Sequence, residues 1–124
     1  MECCKWLEFI NTFYGATVFD QDISSWNVAN VTGMSGMFCE ATAFEQDISS
    51  WNVENVTSMY GMFCGVTTFN QEISSWNVAK TDMSYMFYGA TAFNQDISSW
   101  NVANVTGMAR MFNRATTFNQ NISS

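Results

Sequence analysis

The chain has 124 residues, 48% hydrophobic and 16% aromatic, with four basic against eleven acidic side chains and a net charge of −7. Such a chain has ample material for a core, which excludes a disordered class, and its acid excess excludes nucleic acid and anionic membrane surfaces as partners. No apolar run is long enough to insert across a bilayer, and the absence of His excludes imidazole acid–base catalysis, Ser–His triads and His-ligated metals.

Residues 1–18 read as an irregular N-terminal half-repeat. They carry acid where a secretory leader carries bases, and no long apolar stretch follows, so they do not read as a signal peptide. Residues 5–13 align with residues 30–38, placing Trp6 at Val31, Phe9 at Met34 and Phe13 at Phe38. This half-unit is bulkier than its counterparts and is expected to act as an imperfect cap.

A tandem repeat occupies residues 19–124, with units 19–43, 44–68, 69–92 and 93–117 and a partial unit 118–124. Phe19, Phe44, Phe69, Phe93 and Phe118 recur at spacings of 25, 25, 24 and 25. Ile23, Ile48, Ile73, Ile97 and Ile122 keep the same period, as do Trp26, Trp51, Trp76 and Trp100. The pairs Met34/Met37, Met59/Met62, Met83/Met86 and Met108/Met111 follow it too. One such unit cannot bury its apolar side alone, whereas stacked units can, with like residues forming continuous ladders.

Within the unit 44–68, residues 48–53 are rich in β-formers and place Trp51 and Val53 on one face, which predicts a strand. Val56, Met59, Met62 and Phe63 then fall at i, i+3, i+6 and i+7, which predicts a short helix capped by Asn55. Gly15, Gly65 and Gly89 mark the exit turn. The expected fold class is therefore an α/β repeat solenoid of about five coils, with parallel short strands on one face and short helices on the other. Residues 78–83 are one residue shorter than residues 53–59, so a Val ladder position should be lost, with a kink near Lys80. The last unit stops at Ser124, within a predicted strand.

The units FEQDISSWNVENVTSMYGMFCGVTT and FNQDISSWNVANVTGMARMFNRATT carry a family likeness. They resemble the BspA-like leucine-rich-repeat surface proteins, also described as the DUF285 or 26-residue bacterial surface repeat. The resemblance spans residues 6–124 and implies a leucine-rich-repeat-like solenoid with a cell-surface or secreted, adhesion or protein-binding role. It implies no catalytic residues and no cofactor.

The candidate surfaces follow from the predicted elements. If Trp and Val face inward, Ser25, Asn27, Ser50, Asn52, Ser75, Asn77, Ser99 and Asn101 form rows on the sheet face, a flat polar surface for a protein or glycan partner. The Trp ladder and the Met pairs read as core. Asp22, Asp47, Glu72 and Asp96 read as turn residues accepting backbone N–H bonds, not as a metal site or an acid–base pair. The acceptor patterns at Asn30, Asn55, Asn104 and Asn121 arise from the repeat itself and read as structural. Cys39 and Cys64 share one repeat position and should be neighbours on adjacent coils. Reduced thiols are the principal reading, with a disulfide open to them in an oxidising compartment. Cys3 and Cys4 fall in the irregular N-terminal segment, and the four cysteines do not form the well-spaced ligand pairs that a four-cysteine zinc site needs. No catalytic or metal-ligating set is expected.

The terminal units suggest a second role. Trp6, Phe9 and Ile122 are candidates for head-to-tail self-association through uncapped ends. The concentration of acids early in the chain, against Arg110 and Arg114 late, would favour that pairing.

Overall fold

The computed structural model describes residues 8–122. Its coils stack in the expected register. Phe13, Phe38, Phe63, Phe87 and Phe112 form one column, with successive ring centroids 5.6, 5.6, 5.5 and 5.6 Å apart and nearly parallel planes. Phe19, Phe44, Phe69, Phe93 and Phe118 form a second, at 5.9, 5.8, 6.2 and 6.0 Å. Within each coil the two columns touch, as between Phe38 and Phe44 at 4.0 Å. Offset stacking of this kind contributes about 0.5–1.5 kcal/mol per pair beyond the burial of the rings.

The elements that make the coils are not those expected. Among the described residues there is no helix, and strand-type pairing is confined to isolated parallel bridges linking Glu8, Gly33, Ser58, Asp82 and Gly107 in succession. The α/β, leucine-rich-repeat-like architecture is therefore incorrect: the coils are built from turns.

Two physical causes account for this. In the segment expected to be helical, every second N–H crosses to the next coil. Met34, Gly36, Phe38 and Glu40 donate to the carbonyls of Ser58, Tyr60, Met62 and Cys64 at 2.7–2.9 Å. The intervening N–H groups of Met37, Cys39 and Ala41 close tight turns onto Met34, Gly36 and Phe38. This crossing requires left-handed backbone at two positions four residues apart in each coil: Asn11/Gly15, Gly36/Glu40, Gly61/Gly65, Tyr85/Gly89 and Arg110/Arg114. A right-handed helix admits no such residues.

In the segment expected to be a strand, side chains capture the backbone. The Asp47 carboxylate accepts the Ser49 N–H, the Trp51 N–H closes onto the Ile48 carbonyl, and the Asn52 side-chain oxygen accepts the Glu54 N–H. Local bonds of this kind compete directly with a sheet ladder.

The inward-facing residues are nevertheless those the periodicity selects. Trp51, Trp76 and Trp100 are buried, and their indole N–H groups donate to the carbonyls of Ile23, Ile48 and Ile73 on the preceding coil, each at 3.1 Å. Met34, Met37, Met59, Met62, Met83, Met86 and Met111 are core residues, while Met108 is exposed. Phe13 stacks on Phe38, so the half-repeat joins the stack in the expected alignment.

The short junction loses no ladder position. Thr81 closes onto the Val78 carbonyl as Val56 closes onto Val53, and it is fully buried. The missing residue falls after it, because Val56 and Thr81 are 25 apart whereas the paired Ser58 and Asp82 are 24 apart. Asn55 has no helix to cap; its side-chain amide donates to the Ala29 carbonyl of the preceding coil at 2.8 Å.

Candidate binding surface

All eight Ser and Asn residues singled out in the repeat are solvent-exposed, but they stand on turns rather than on a sheet. The Ser50, Ser75 and Ser99 hydroxyls donate to the carbonyls of Ser24, Ser49 and Ser74 one coil back, at 3.0–3.3 Å. The side-chain oxygens of Asn27, Asn52, Asn77 and Asn101 accept the N–H two residues on, at 3.1–3.2 Å. Each row is therefore both exposed and pinned, which fixes the direction of its polar groups.

The acidic row lies beside it. Asp22, Asp47 and Asp96 accept the N–H of Ser24, Ser49 and Ser98, each at 2.9 Å. Hydrogen bonds from the Ser24 and Ser49 hydroxyls and backbones hold Asp22 and Asp47 below the ordinary carboxylate range; backbone and hydroxyl bonds of Ser98 do the same for Asp96. Glu72 accepts instead from the Ser74 hydroxyl at 2.8 Å. These are turn acceptors, and among the described residues no cluster of three acids or thiols could hold a metal ion.

A further ladder escaped the sequence reading. Gln46 donates to the carbonyl and carboxylate of Asp20, Gln95 to both oxygens of Asn70, and Gln120 to both oxygens of Asn94. The recurrence of Gln after Phe-Glu or Phe-Asn was the available signal. Gln95 also helps line a polar cleft of about 310 Å³ with Glu72, Ser74, Asp96 and Ser99. The cleft thus sets two carboxylates, an amide and two hydroxyls around one hollow, directly against the Ser row.

On another side of the coils, Ile10, Tyr14, Cys39, Tyr60, Cys64 and Tyr85 line an open groove of about 260 Å³. Cys39 and Cys64 are free thiols, Cys39 buried and Cys64 half-buried. Tyr60 and Tyr85 meet in a tilted ring contact at 5.3 Å, and Arg114 lies over the Tyr88 ring at 5.9 Å.

Of the residues expected at a self-association surface, Trp6 lies outside the described residues. Phe9 is not available at a surface: it is buried against Trp26 at 5.7 Å and donates its N–H to the Gly33 carbonyl. Ile122 is exposed. It stands with Val102 (43% exposed) and Met108 (44%) around a shallow hollow, whereas the equivalent Val78 and Met83 are 2% and 0% exposed.

A family model described as "Mycoplasma protein of unknown function, DUF285" matches residues 7–82 and again residues 51–124. No curated protein and no solved structure matches the chain.

Proposed function

The chain belongs to the DUF285 family, and we propose that it is a non-catalytic repeat scaffold whose Ser/Asn face binds a glycan. The observation that carries this reading is the polar cleft of Glu72, Ser74, Gln95, Asp96 and Ser99 opening beside the exposed Ser and Asn rows. Sugar hydroxyls donate as well as accept, and because the Gln95 amide and the Ser74 and Ser99 hydroxyls already donate within the stack, this hollow turns carboxylate, amide and hydroxyl oxygens toward them as acceptors. The coil-to-coil repeat presents the same groups again at each step along the stack, which suits a polymeric ligand. The likeness of the repeat string to BspA-like surface proteins supports the same adhesive role.

The test is binding to an array of immobilised oligosaccharides. The wild-type chain should bind a subset of them. Glu72→Lys, which alters the cleft through an exposed side chain, should abolish that binding while leaving the melting temperature unchanged. Asn52→Lys/Asn77→Lys should weaken it along the rows. A chain that binds no glycan, or a Glu72→Lys variant that binds as well as wild type, refutes the reading; capture of a protein partner that needs the same residues would replace it.

A second reading rests on a separate observation, the exposure of Val102, Met108 and Ile122 at positions buried elsewhere in the stack. These residues suit contact with a further apolar surface, and a second copy of the chain is the occupant this reading proposes. Sedimentation over a concentration series should then show self-association that Val102→Asp/Ile122→Asp removes. A wild-type chain that stays monomeric throughout excludes it.

A further inference from the structure

We infer that Cys39 and Cys64 form a cross-coil dithiol that a low-molecular-weight disulfide oxidises to a disulfide, with Cys64 attacking first and Cys39 resolving.

The geometry places the two residues in register. The residues flanking them on either side are already paired: Phe38 stacks on Phe63 at 5.6 Å, and the Glu40 N–H donates to the Cys64 carbonyl at 2.7 Å. A Cβ built on Gly65 would lie 3.3 Å from the Glu40 side chain, so residues 40 and 65 are also neighbours. Both cysteines follow the same local turn, their N–H groups closing onto Gly36 and Gly61 at 3.1 Å, so their side chains leave the backbone in the same direction. The two side chains line one and the same groove. Neighbouring in-register residues of a parallel stack lie within the Cα separation that a disulfide spans.

The surroundings assign the order of attack. Cys64 is the more exposed, and both thiols line the open groove beside Tyr14 and Tyr60, so the oxidant reaches it first. Burial, and then the charge and hydrogen bond of Cys64, push the Cys39 thiol up to about 12. Cys39 is thus a poor first nucleophile. In the first step Cys64 loses its proton, and its sulfur bonds to one sulfur of the oxidant, expelling the other half as a thiol. Once the Cys64 sulfur is held in a mixed disulfide it can no longer ionise, so its share of the repulsion opposing ionisation of Cys39 is removed, while burial and Glu40 still oppose it. Cys39 then loses its proton and attacks the Cys64 sulfur, expelling the second thiol. Two protein thiols become one disulfide, and the small disulfide is reduced to two thiols. The product joins consecutive coils covalently and closes a loop of one full repeat.

The experiment treats the folded 124-residue chain with oxidised glutathione, quenches with acid and alkylating agent, and maps the peptides by mass spectrometry. Wild type should yield a Cys39–Cys64 linked peptide and a melting temperature raised by roughly 10 °C, both reversed by dithiothreitol. Cys39→Ser should retain glutathione on Cys64. Cys64→Ser should take up glutathione at Cys39 at least about tenfold more slowly than Cys39→Ser does at Cys64. Glutathione persisting on Cys64 of the wild-type chain without a linked peptide overturns the inference. So does a link to Cys3 or Cys4 instead, or a Cys39–Cys64 link that appears only in denaturant. The wild-type map decides the matter even if a serine variant folds poorly.

Discussion

Thr81→Val should stabilise the protein. Thr81 is fully buried, and its hydroxyl has no hydrogen-bond partner. It holds the position that Val31, Val56 and Val105 hold in other coils, as the shared N–H bond to the residue three before it shows. A buried hydroxyl without a partner costs about 1–3 kcal/mol, and the replacing methyl adds a further fraction of the ~0.8 kcal/mol gained per buried methylene. Valine has nearly the same shape and is already accommodated by the Val ladder, so little packing strain offsets this. The expected gain is about 1–2 kcal/mol, or a rise in melting temperature of roughly 5 °C for a domain of this size. Urea unfolding with unchanged m value and a higher midpoint would register it. Thr57→Val is the control: Thr57 is exposed and its hydroxyl bonds the Thr32 carbonyl at 3.2 Å, so the change should stay within about 0.5 kcal/mol of neutral. A Thr81→Val variant no more stable than wild type would refute the placement of Thr81 in the Val ladder.

Phe63 is fully buried between Phe38 and Phe87, so Phe63→Ala should destabilise by about 3–5 kcal/mol in the same urea assay. Gly61 has φ 61°, and a Cβ there would meet nothing closer than the Cys64 Cβ at 3.9 Å, so Gly61→Ala carries a backbone cost of about 1–2 kcal/mol without a clash. Gly61→Asn should cost less, because Asn tolerates the left-handed region; equal losses would contradict this. Asp22, Asp47 and Asp96 are held below their ordinary value of 3.8, so their contribution is present above that value and is lost as pH falls through the lower folded one. Melting temperature should therefore be insensitive to their titration from pH 7 to 5 and fall below about pH 4. Asp47→Asn, whose amide oxygen can still accept the Ser49 N–H, should flatten part of that fall.

The period and the inward-facing residues could be read from the sequence because burial acts on side-chain identity. Phe, Trp, Ile and Met recur wherever a coil must cover the one beneath it, and this holds whatever the backbone does between them. The element type could not be read in the same way, because a chain of tight turns and a helix select the same inward set. Met34, Met37, Phe38 and Ala41, at i, i+3, i+4 and i+7, are all buried here in a run with no helix. The discriminating signal was glycine. Gly36 and Gly61 sit inside the supposed helix, and Gly15, Gly65 and Gly89 stand four residues beyond the equivalent position, where the stack needs left-handed backbone twice per coil. Tyr85, Arg110 and Arg114 occupy the same positions with side chains, which hides the pattern in the later units. The strand failed for a different reason. Ile, Ser and Trp favour extension, but Asp47 and Asn52 flank them with acceptors that reach the backbone two residues on. The polar rows stayed exposed through this change of element, because outward orientation follows from the burial of Trp51 and Val53 between them. The Gln ladder, by contrast, depends on amide-to-carbonyl bonds between coils, and no rule of alternation within one unit could have placed it. The register of stacked repeats is thus a stronger source of inference than the local element, and it is register alone that sets Cys39 beside Cys64.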